Sequence, residues 1–204
     1  MADAAAATRL VLASASPYRR RMLEAAGLAA EVVPAEVDEE AIKRGLLRSG
    51  AAPRAIAEAL AQAKAEAVSR PLARALVIGA DQVLALDGTI FSKAGDVASA
   101  RRQLLALRGK SHQLHTAAVL AIGGKPCWSA VETATLTMRQ FSDAFLEDYL
   151  RAMGNRVTGT VGAYEIEGRG IQLFERIDGD IFTIIGLPLL PLLAELRTRG
   201  VIAA

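Results

Sequence analysis

Apolar positions along this chain fall in short blocks divided by turn residues, and the blocks predict alternating strands and helices. Residues 9–13 (RLVLA) are an apolar run that stops at Ser14, Ala15, Ser16 and Pro17, the pattern of a buried strand ending in a turn. Pro17 suits the first turn of a helix, which Tyr18 to Ala26 continues until Gly27 stops it. Residues 31–33 predict a second short strand. An acidic cluster, Glu36, Asp38, Glu39 and Glu40, follows within 34–50, and residues 53–69 have the composition and length of a strong helix. The run 76–80 (LVIGA) predicts a third, buried strand with Asp81 standing at its end. After it, 83–86 and 89–92 flank Asp87-Gly88, a dipeptide that supplies the positive φ values of a tight hairpin.

The second half continues the alternation. Asp96 caps a helix that runs to about Leu107 and ends at Arg108-Gly109. A long β-hairpin is predicted over 112–122 and 127–138 around Gly123-Gly124, and Ser142 caps a helix over 143–153 that Gly154-Asn155 terminates. Residues 159–185 are Gly-rich with only short apolar stretches, and 189–199 closes the chain as a helix. No internal repeat and no low-complexity linker is visible, so the order reads as one mixed α/β domain over 1–204, with residues 1–8 a flexible tail.

Composition narrows the function classes. The chain has 24 basic and 22 acidic residues for a formal charge of +2, and aromatic residues make up 4%. That balance, with so few stacking side chains, argues against a nucleic-acid-binding module. No apolar run approaches the roughly 20 residues of a membrane span, and the longest candidate, 181–193, is broken by Gly186, Pro188 and Pro191. The first eight residues lack the basic start and apolar core of a secretory signal. Cys127 is the single cysteine, which excludes an internal disulfide, fits a reducing cytoplasm and reads as a small core residue.

Three constellations carry candidate chemistry. Ser14, Ser16 and Arg19 stand at a strand-to-helix junction. There, free N–H groups and a partial positive charge suit phosphate, and an arginine adds a planar fork; a capping serine followed by solvated arginines reads equally well. Asp81 follows a buried strand, the rim at which α/β sheets bind ligands, though a turn aspartate is common there too. Glu39, Lys64 and Lys93 are each, taken singly, ordinary surface residues, and the acidic run suits an exposed helix start.

Taken together and in order, the blocks LASASPYRR (12–20), VDEE (37–40), GADQVLALDG (79–88), SK (92–93), LRGKSHQLHTAAVL (107–120), GAYEIEGRG (162–170) and IIGLPL (184–189) resemble the Maf family of nucleotide pyrophosphatases. The resemblance runs from Leu10 to about Leu196. It implies a mixed twisted sheet flanked by helices, in two lobes around a central nucleotide cleft, as in ITPase-like proteins. It implies cleavage of a nucleoside triphosphate to the monophosphate and pyrophosphate, in a homodimer. By position it gives Ser14, Ser16, Arg19, Lys64 and Lys93 to phosphate, and Glu39 and Asp81 to a divalent metal. Asp81 is also the proton acceptor that prepares the attacking water. Carboxylate and phosphate oxygens are hard ligands, which suits magnesium or manganese. The family's Lys-Pro after the hairpin is Lys93-Ala94 here, which loosens the backbone of Lys93.

Three positions separate branches of this family. Branches resembling dTTP/UTP pyrophosphatases carry Arg, Thr and Gln where this chain has Tyr18, Gln82 and Glu167; branches resembling 7-methyl-GTP pyrophosphatases carry an aromatic residue, Gln and Glu. The chain therefore resembles the second kind. An aromatic face attracts the cationic 7-methylguanine ring, and a carboxylate can accept two hydrogen bonds from the N1–H and N2–H edge of guanine. The competing expectations are a pyrimidine triphosphate as substrate, or a regulatory nucleotide-binding protein acting in septum formation. His112 and His115, three apart in a predicted strand, are expected on opposite faces and not at one metal. Trp128 and Phe141 are expected in the core or at an interface.

Overall fold

The structure, a computed structural model, describes residues 9–203; the tail expected over 1–8 lies outside the described residues. The first parallel unit is assembled as the apolar blocks predict. β1 (Leu10–Ala13) is buried along its length, and α1 (Pro17–Ala25) follows with Pro17 in its first turn and Ser16 as N-cap, accepting from the Arg19 amide. β2 (Glu31–Val32), α2 (Glu39–Arg48) and α3 (Pro53–Ser69) come next, with Asp38 capping α2 by accepting from the Ala41 amide.

β3 (Leu76–Leu86) corrects the sequence reading. Residues 76–80 and 83–86 belong to one continuous strand of 11 residues, so Asp81 lies in mid-strand and not after a strand end. The reason is a change of neighbours. β3 pairs in parallel with β1 only as far as Ala13↔Gly79, whereas its antiparallel partner β5 (Ser111–Ile122) continues past that point, Asp81 facing Ala117. The ladder on one side is enough to keep Asp81 extended while β1 has already turned away. β4 (Thr89–Phe91) forms the predicted Asp87-Gly88 hairpin with the far end of β3, with φ +50° and +78° at the two turn residues.

α4 (Val97–Leu107), β6 (Lys125–Met138) and α5 (Asp143–Met153) match the predicted elements and their caps Asp96 and Ser142. A 3₁₀ turn, Gly154–Thr158, follows α5 directly; the Gly-rich segment holds a second one, Arg169–Leu173, then β7 (Phe174–Asp178) and the short α6 (Ile181–Ile185), before α7 (Leu189–Thr198). Neither β7 nor α6 was expected. The result is a seven-stranded mixed sheet in the order β2-β1-β3-β5-β6-β7, with β4 hydrogen-bonded to β3. Among the described residues no helix is long and apolar enough to cross a membrane.

Side-chain alternation along β3 and β5 divides the interior. On one face, Leu76, Ile78 and Ala80 pack into a core with α1 and α7, and Leu84 and Leu86 pack into another with α4 and α5. Between these cores the same face carries Gln82, paired across the ladder with Thr116. On β5, likewise, Leu114 belongs to one core and Ala118 to the other. A polar seam thus separates two apolar halves on long shared strands. On the opposite face, α3 lies directly against β3, so close that a Cβ on Gly79 would sit 2.1 Å from the Ala61 carbonyl oxygen and 2.6 Å from the Ala65 nitrogen. Phe141 is buried in the α4–α5 core and Trp128 packs against the other, as expected. Cys127 is not a core residue: it is exposed near the start of β6, beside the irregularity in the β5–β6 ladder.

Candidate active site

A cleft of about 680 Å³ opens along the end of β1. It is lined from one side by the β1–α1 junction, α2, α3 and β3, and from the other by the segment after β4 and residues 156–161. The structure brings Ser14, Ser16, Arg19, Glu39, Lys64, Asp81 and Lys93 together in this cleft, with Tyr18 and Gln82 on its wall.

The β1–α1 junction is built from its own hydroxyls. Ser14 is buried, and its Oγ accepts from the Ser16 amide (3.2 Å) and from Arg19 Nη1 (3.1 Å). Arg19 also donates from Nε to the Gly186 carbonyl (2.8 Å). Two of the five guanidinium N–H groups are therefore spent on pinning the fork, and the pinned side chain lines the cleft. Gly186, with φ +126°, is the α6 C-cap that turns this carbonyl toward Arg19. Ser16 acts as the helix cap the sequence allowed for, while still lining the cleft.

Close packing of α3 on Gly79 delivers Lys64 to Asp81. The Lys64 ammonium is buried and lies 2.5 Å from Asp81 Oδ1 and 2.9 Å from Glu39 Oε1. Asp81 points to this side because it shares the face of Gly79 and Val83, whereas Gln82 points to the seam. One cation therefore gathers two carboxylates from separate elements. Lys93 enters from beyond β4. Partial desolvation, then the Arg19 and Lys64 charges, hold its ammonium below the usual lysine value, and Asp81 and Glu39 oppose them. Ala94, at the family's proline position, is buried in the α4–α5 core.

The seam ends in a recess of about 30 Å³ lined by Tyr18, Gln82, Glu165 and Glu167, with Leu114 and Ile184 behind. All three branch-distinguishing positions meet here. Gln82 Nε2 donates to Thr116 Oγ1 (2.9 Å) and to the Thr183 and Ile184 carbonyls (2.9 and 3.1 Å). Chemistry fixes this orientation. The Thr116 hydroxyl donates its own proton to the Thr183 carbonyl (2.8 Å), so its oxygen can only accept from Gln82. The amide nitrogen must face Thr116, and the carbonyl oxygen is the end left for the recess.

Sequence reasoning missed Glu165. Tyr18 donates its hydroxyl to Glu165 Oε1 (2.6 Å), while Glu165 Oε2 lies 3.6 Å from Arg156 Nη1. Burial, then the hydrogen bond and charge of Glu165, then the charge of Glu167, push the Tyr18 hydroxyl up to about 12. The Arg21 guanidinium lies 5.0 Å from the Tyr18 ring centroid. The recess wall is itself held from behind: Tyr164 shares a 2.7 Å hydrogen bond with His112 Nε2, and Tyr149 donates to the Ala163 carbonyl (3.1 Å). Ala163 adopts φ +58°, a left-handed conformation costly to a residue with a Cβ. Thr116 and Glu165 lie inside the LRGKSHQLHTAAVL and GAYEIEGRG blocks, which is the available signal for both. His112 and His115 point to opposite faces as expected, His115 meeting Thr133 Oγ1 at 2.9 Å.

The geometry defines a class: a mixed α/β protein whose cleft joins a basic, hydroxyl-lined helix start and a carboxylate pair to a small polar recess. Within that class, residues 9–199 match the family model described as Maf-like protein, and the chain belongs to the Maf family. It is 53% identical over 194 residues, 95% of this chain and 98% of the relative, to a protein of Mesorhizobium japonicum named 7-methyl-GTP pyrophosphatase. A protein of Granulibacter bethesdensis named nucleoside triphosphate pyrophosphatase is 51% identical over 93% of this chain and 96% of its own length. Among solved structures, a nucleoside-triphosphatase / dITP/XTP pyrophosphatase from Mycobacterium abscessus matches with a TM-score of 0.41 and 14% identity over 95% of each chain, a likeness too slight to build on.

Proposed function

We propose that this chain hydrolyses a nucleoside triphosphate to the monophosphate and pyrophosphate in the cytoplasm, as a homodimer, with 7-methyl-GTP as the preferred substrate. The observation that carries the reaction is the meeting of Arg19, Lys64 and Lys93 with the Asp81–Glu39 carboxylate pair in one cleft. The relatives' names support the same chemistry.

In this reading the α1 N-terminus, Ser14, Ser16 and Arg19 hold one end of the triphosphate, and Lys93 faces it across the cleft. Asp81 Oδ1 is engaged by Lys64, which leaves Oδ2 to take a proton from water. The water oxygen bonds to the α-phosphorus as the bond from that phosphorus to the α,β-bridging oxygen breaks, and pyrophosphate leaves. Lys64 contacts the polyphosphate and also neutralises part of the Asp81–Glu39 charge.

A divalent ion fits the donor set. Two carboxylates already converge on a single cation, and magnesium typically takes one or two carboxylates plus substrate phosphates. Among the described residues no group of three or more His, Cys, Asp or Glu is gathered for a metal, so the phosphates would supply the other ligands. Asp81 and Glu39 would hold the ion, which neutralises phosphate charge when bound.

Base choice rests on Tyr18, Gln82 and Glu167 sharing one recess whose side-chain acceptors suit the donor-rich edge of guanine. The test is a panel of 7-methyl-GTP, GTP, UTP and dTTP with magnesium, analysed for products. Equal amounts of monophosphate and pyrophosphate, fastest from 7-methyl-GTP, are expected. Release of orthophosphate, or undiminished turnover with a chelator present, defeats the reaction scheme; a preference for UTP or dTTP defeats the base assignment alone.

A further inference from the structure

We propose that Glu165 is a specificity-determining residue, setting the pose of Tyr18 and adding a second carboxylate beside the base; this rests on the guanine reading above. Three observations carry it. Glu165 Oε1 accepts the Tyr18 hydroxyl at 2.6 Å, so the ring on which the base would stack is tethered by this carboxylate and not by Glu167. Glu165 is sheltered, its side chain 11% exposed, whereas Glu167 is exposed to solvent. A sheltered charge is less screened than an exposed one and acts more strongly on a neighbouring cation. Arg156, its one cationic partner among the described residues, is 3.6 Å away on a side chain 63% exposed, and a loose surface ion pair of that kind cancels little of the charge.

The recess also limits how a base can arrive. At about 30 Å³ it has room for little more than a water molecule, so a purine must engage its mouth or shift Tyr18. The Tyr18–Glu165 bond stands at that point. A 7-methylated guanine, carrying a delocalised positive charge, gains from the field of Glu165 whether or not it touches the carboxylate; unmodified GTP does not gain in the same way. Glu165 therefore discriminates by charge, while Gln82 and Glu167 discriminate by hydrogen bonding.

The experiment compares kcat/KM for 7-methyl-GTP with kcat/KM for GTP in wild type, Glu165→Gln and Tyr18→Phe. Glu165→Gln keeps an acceptor for the Tyr18 hydroxyl and removes the charge, and the ratio should fall about tenfold. Tyr18→Phe keeps ring and carboxylate but cuts the tether, and the ratio should fall by less. A Glu165→Gln ratio within about twofold of wild type overturns the assignment. Should Glu165→Gln fail to fold, an unchanged ratio in Tyr18→Phe overturns it instead. If wild type itself prefers UTP or dTTP, the guanine reading fails and this inference with it. Wild-type preference for 7-methyl-GTP with unchanged variants removes Glu165 alone.

Discussion

The two ends of the cleft, the one proposed to hold phosphate (the phosphate end) and the one proposed to hold the base (the base end), are built differently. The phosphate end is made from regular elements: a buried strand, a serine-capped helix with proline in its first turn, an aspartate-capped helix, and a long helix pressed against a glycine of β3. The base end is made from 3₁₀ turns, an alanine at positive φ and hydrogen bonds between residues 34 to 147 apart in sequence. The difference separates two tasks. Holding phosphates and preparing water needs fixed charges on rigid elements, and every nucleotide presents the same phosphates. Choosing a base needs acceptors at set positions, which the chain places by tertiary contacts. Variants at the first end should change the rate for all substrates alike, and variants at the second should change their ranking.

The largest effect is expected at Asp81. Asp81→Asn keeps the shape and a partner for Lys64 but cannot accept the proton, so kcat should fall by on the order of 10²-fold or more. The fall should be the same for 7-methyl-GTP and UTP, while nucleotide binding persists. Steady-state kinetics on both substrates, with equilibrium binding alongside, tests this. Turnover near the wild-type rate removes Asp81 from the mechanism, and a loss confined to one base breaks the division between the two ends.

The same division explains what could be read in the sequence. Strands and helices of the phosphate end follow from local signals, since each depends on its immediate neighbours: Ser16 and Pro17 for α1, the acidic run for the start of α2, Asp87-Gly88 for the β3–β4 turn; that Asp38 is the residue capping α2 comes from the structure. Asp81 reads as a strand-end residue from its local pattern because strand continuation past it is enforced by β5, whose Ala117 to Gln113 face Asp81 to Ala85 from 28 to 36 residues further along the chain. β7 and α6 escaped for a similar reason. β7 alternates weakly and is completed by its ladder to β6, and α6 is a single short turn held by Asp180 and by its packing. At the base end, Tyr18, Gln82 and Glu167 were legible only through family resemblance. Glu165 and Thr116 act through side chains far away in sequence, which no local periodicity reveals.

A smaller effect is expected where the base-end wall is held from behind. His112 is buried between Tyr164 and Phe174, its Nδ1 has no hydrogen-bond partner, and burial pulls its pKa from 6.5 down to about 4. The unfolded chain therefore binds this proton more readily, so stability is full above the unfolded value and is lost as pH falls from about 6.5 toward 4. At pH 5 the loss from this group is about 2 kcal/mol. His112→Gln can still meet the Tyr164 hydroxyl but does not titrate. Its unfolding free energy, measured in urea at pH 7.5 and pH 5, should change between the two by about 2 kcal/mol less than that of wild type. Equal pH dependence in the two proteins means that His112 is not the group that sensitises this wall to acid.

The smallest effect tests the seam itself. Thr116 is buried, donates its hydroxyl hydrogen bond to the Thr183 carbonyl and thereby leaves its oxygen to accept from Gln82. Thr116→Val keeps the shape but removes both hydrogen bonds, so the Gln82 amide loses the partner that sets its direction. The Thr183 and Ile184 carbonyls still favour the native orientation, so what the substitution removes is the Thr116 share of that preference, about 1 kcal/mol. A flipped amide presents N–H groups to the recess, which repel the donor edge of guanine and suit the carbonyl oxygens of uracil. The ratio of kcat/KM for 7-methyl-GTP over UTP should therefore fall by roughly fivefold, and Thr116→Ser, which keeps the hydroxyl, should restore it. A merely structural threonine would lower both substrates together, and its serine variant would recover both together. If Thr116→Val leaves the ratio unchanged while stability drops, the seam is packing alone and Gln82 is held by the α6 carbonyls. If the ratio falls and serine restores it, a buried hydroxyl that never meets the nucleotide is setting which base the recess accepts.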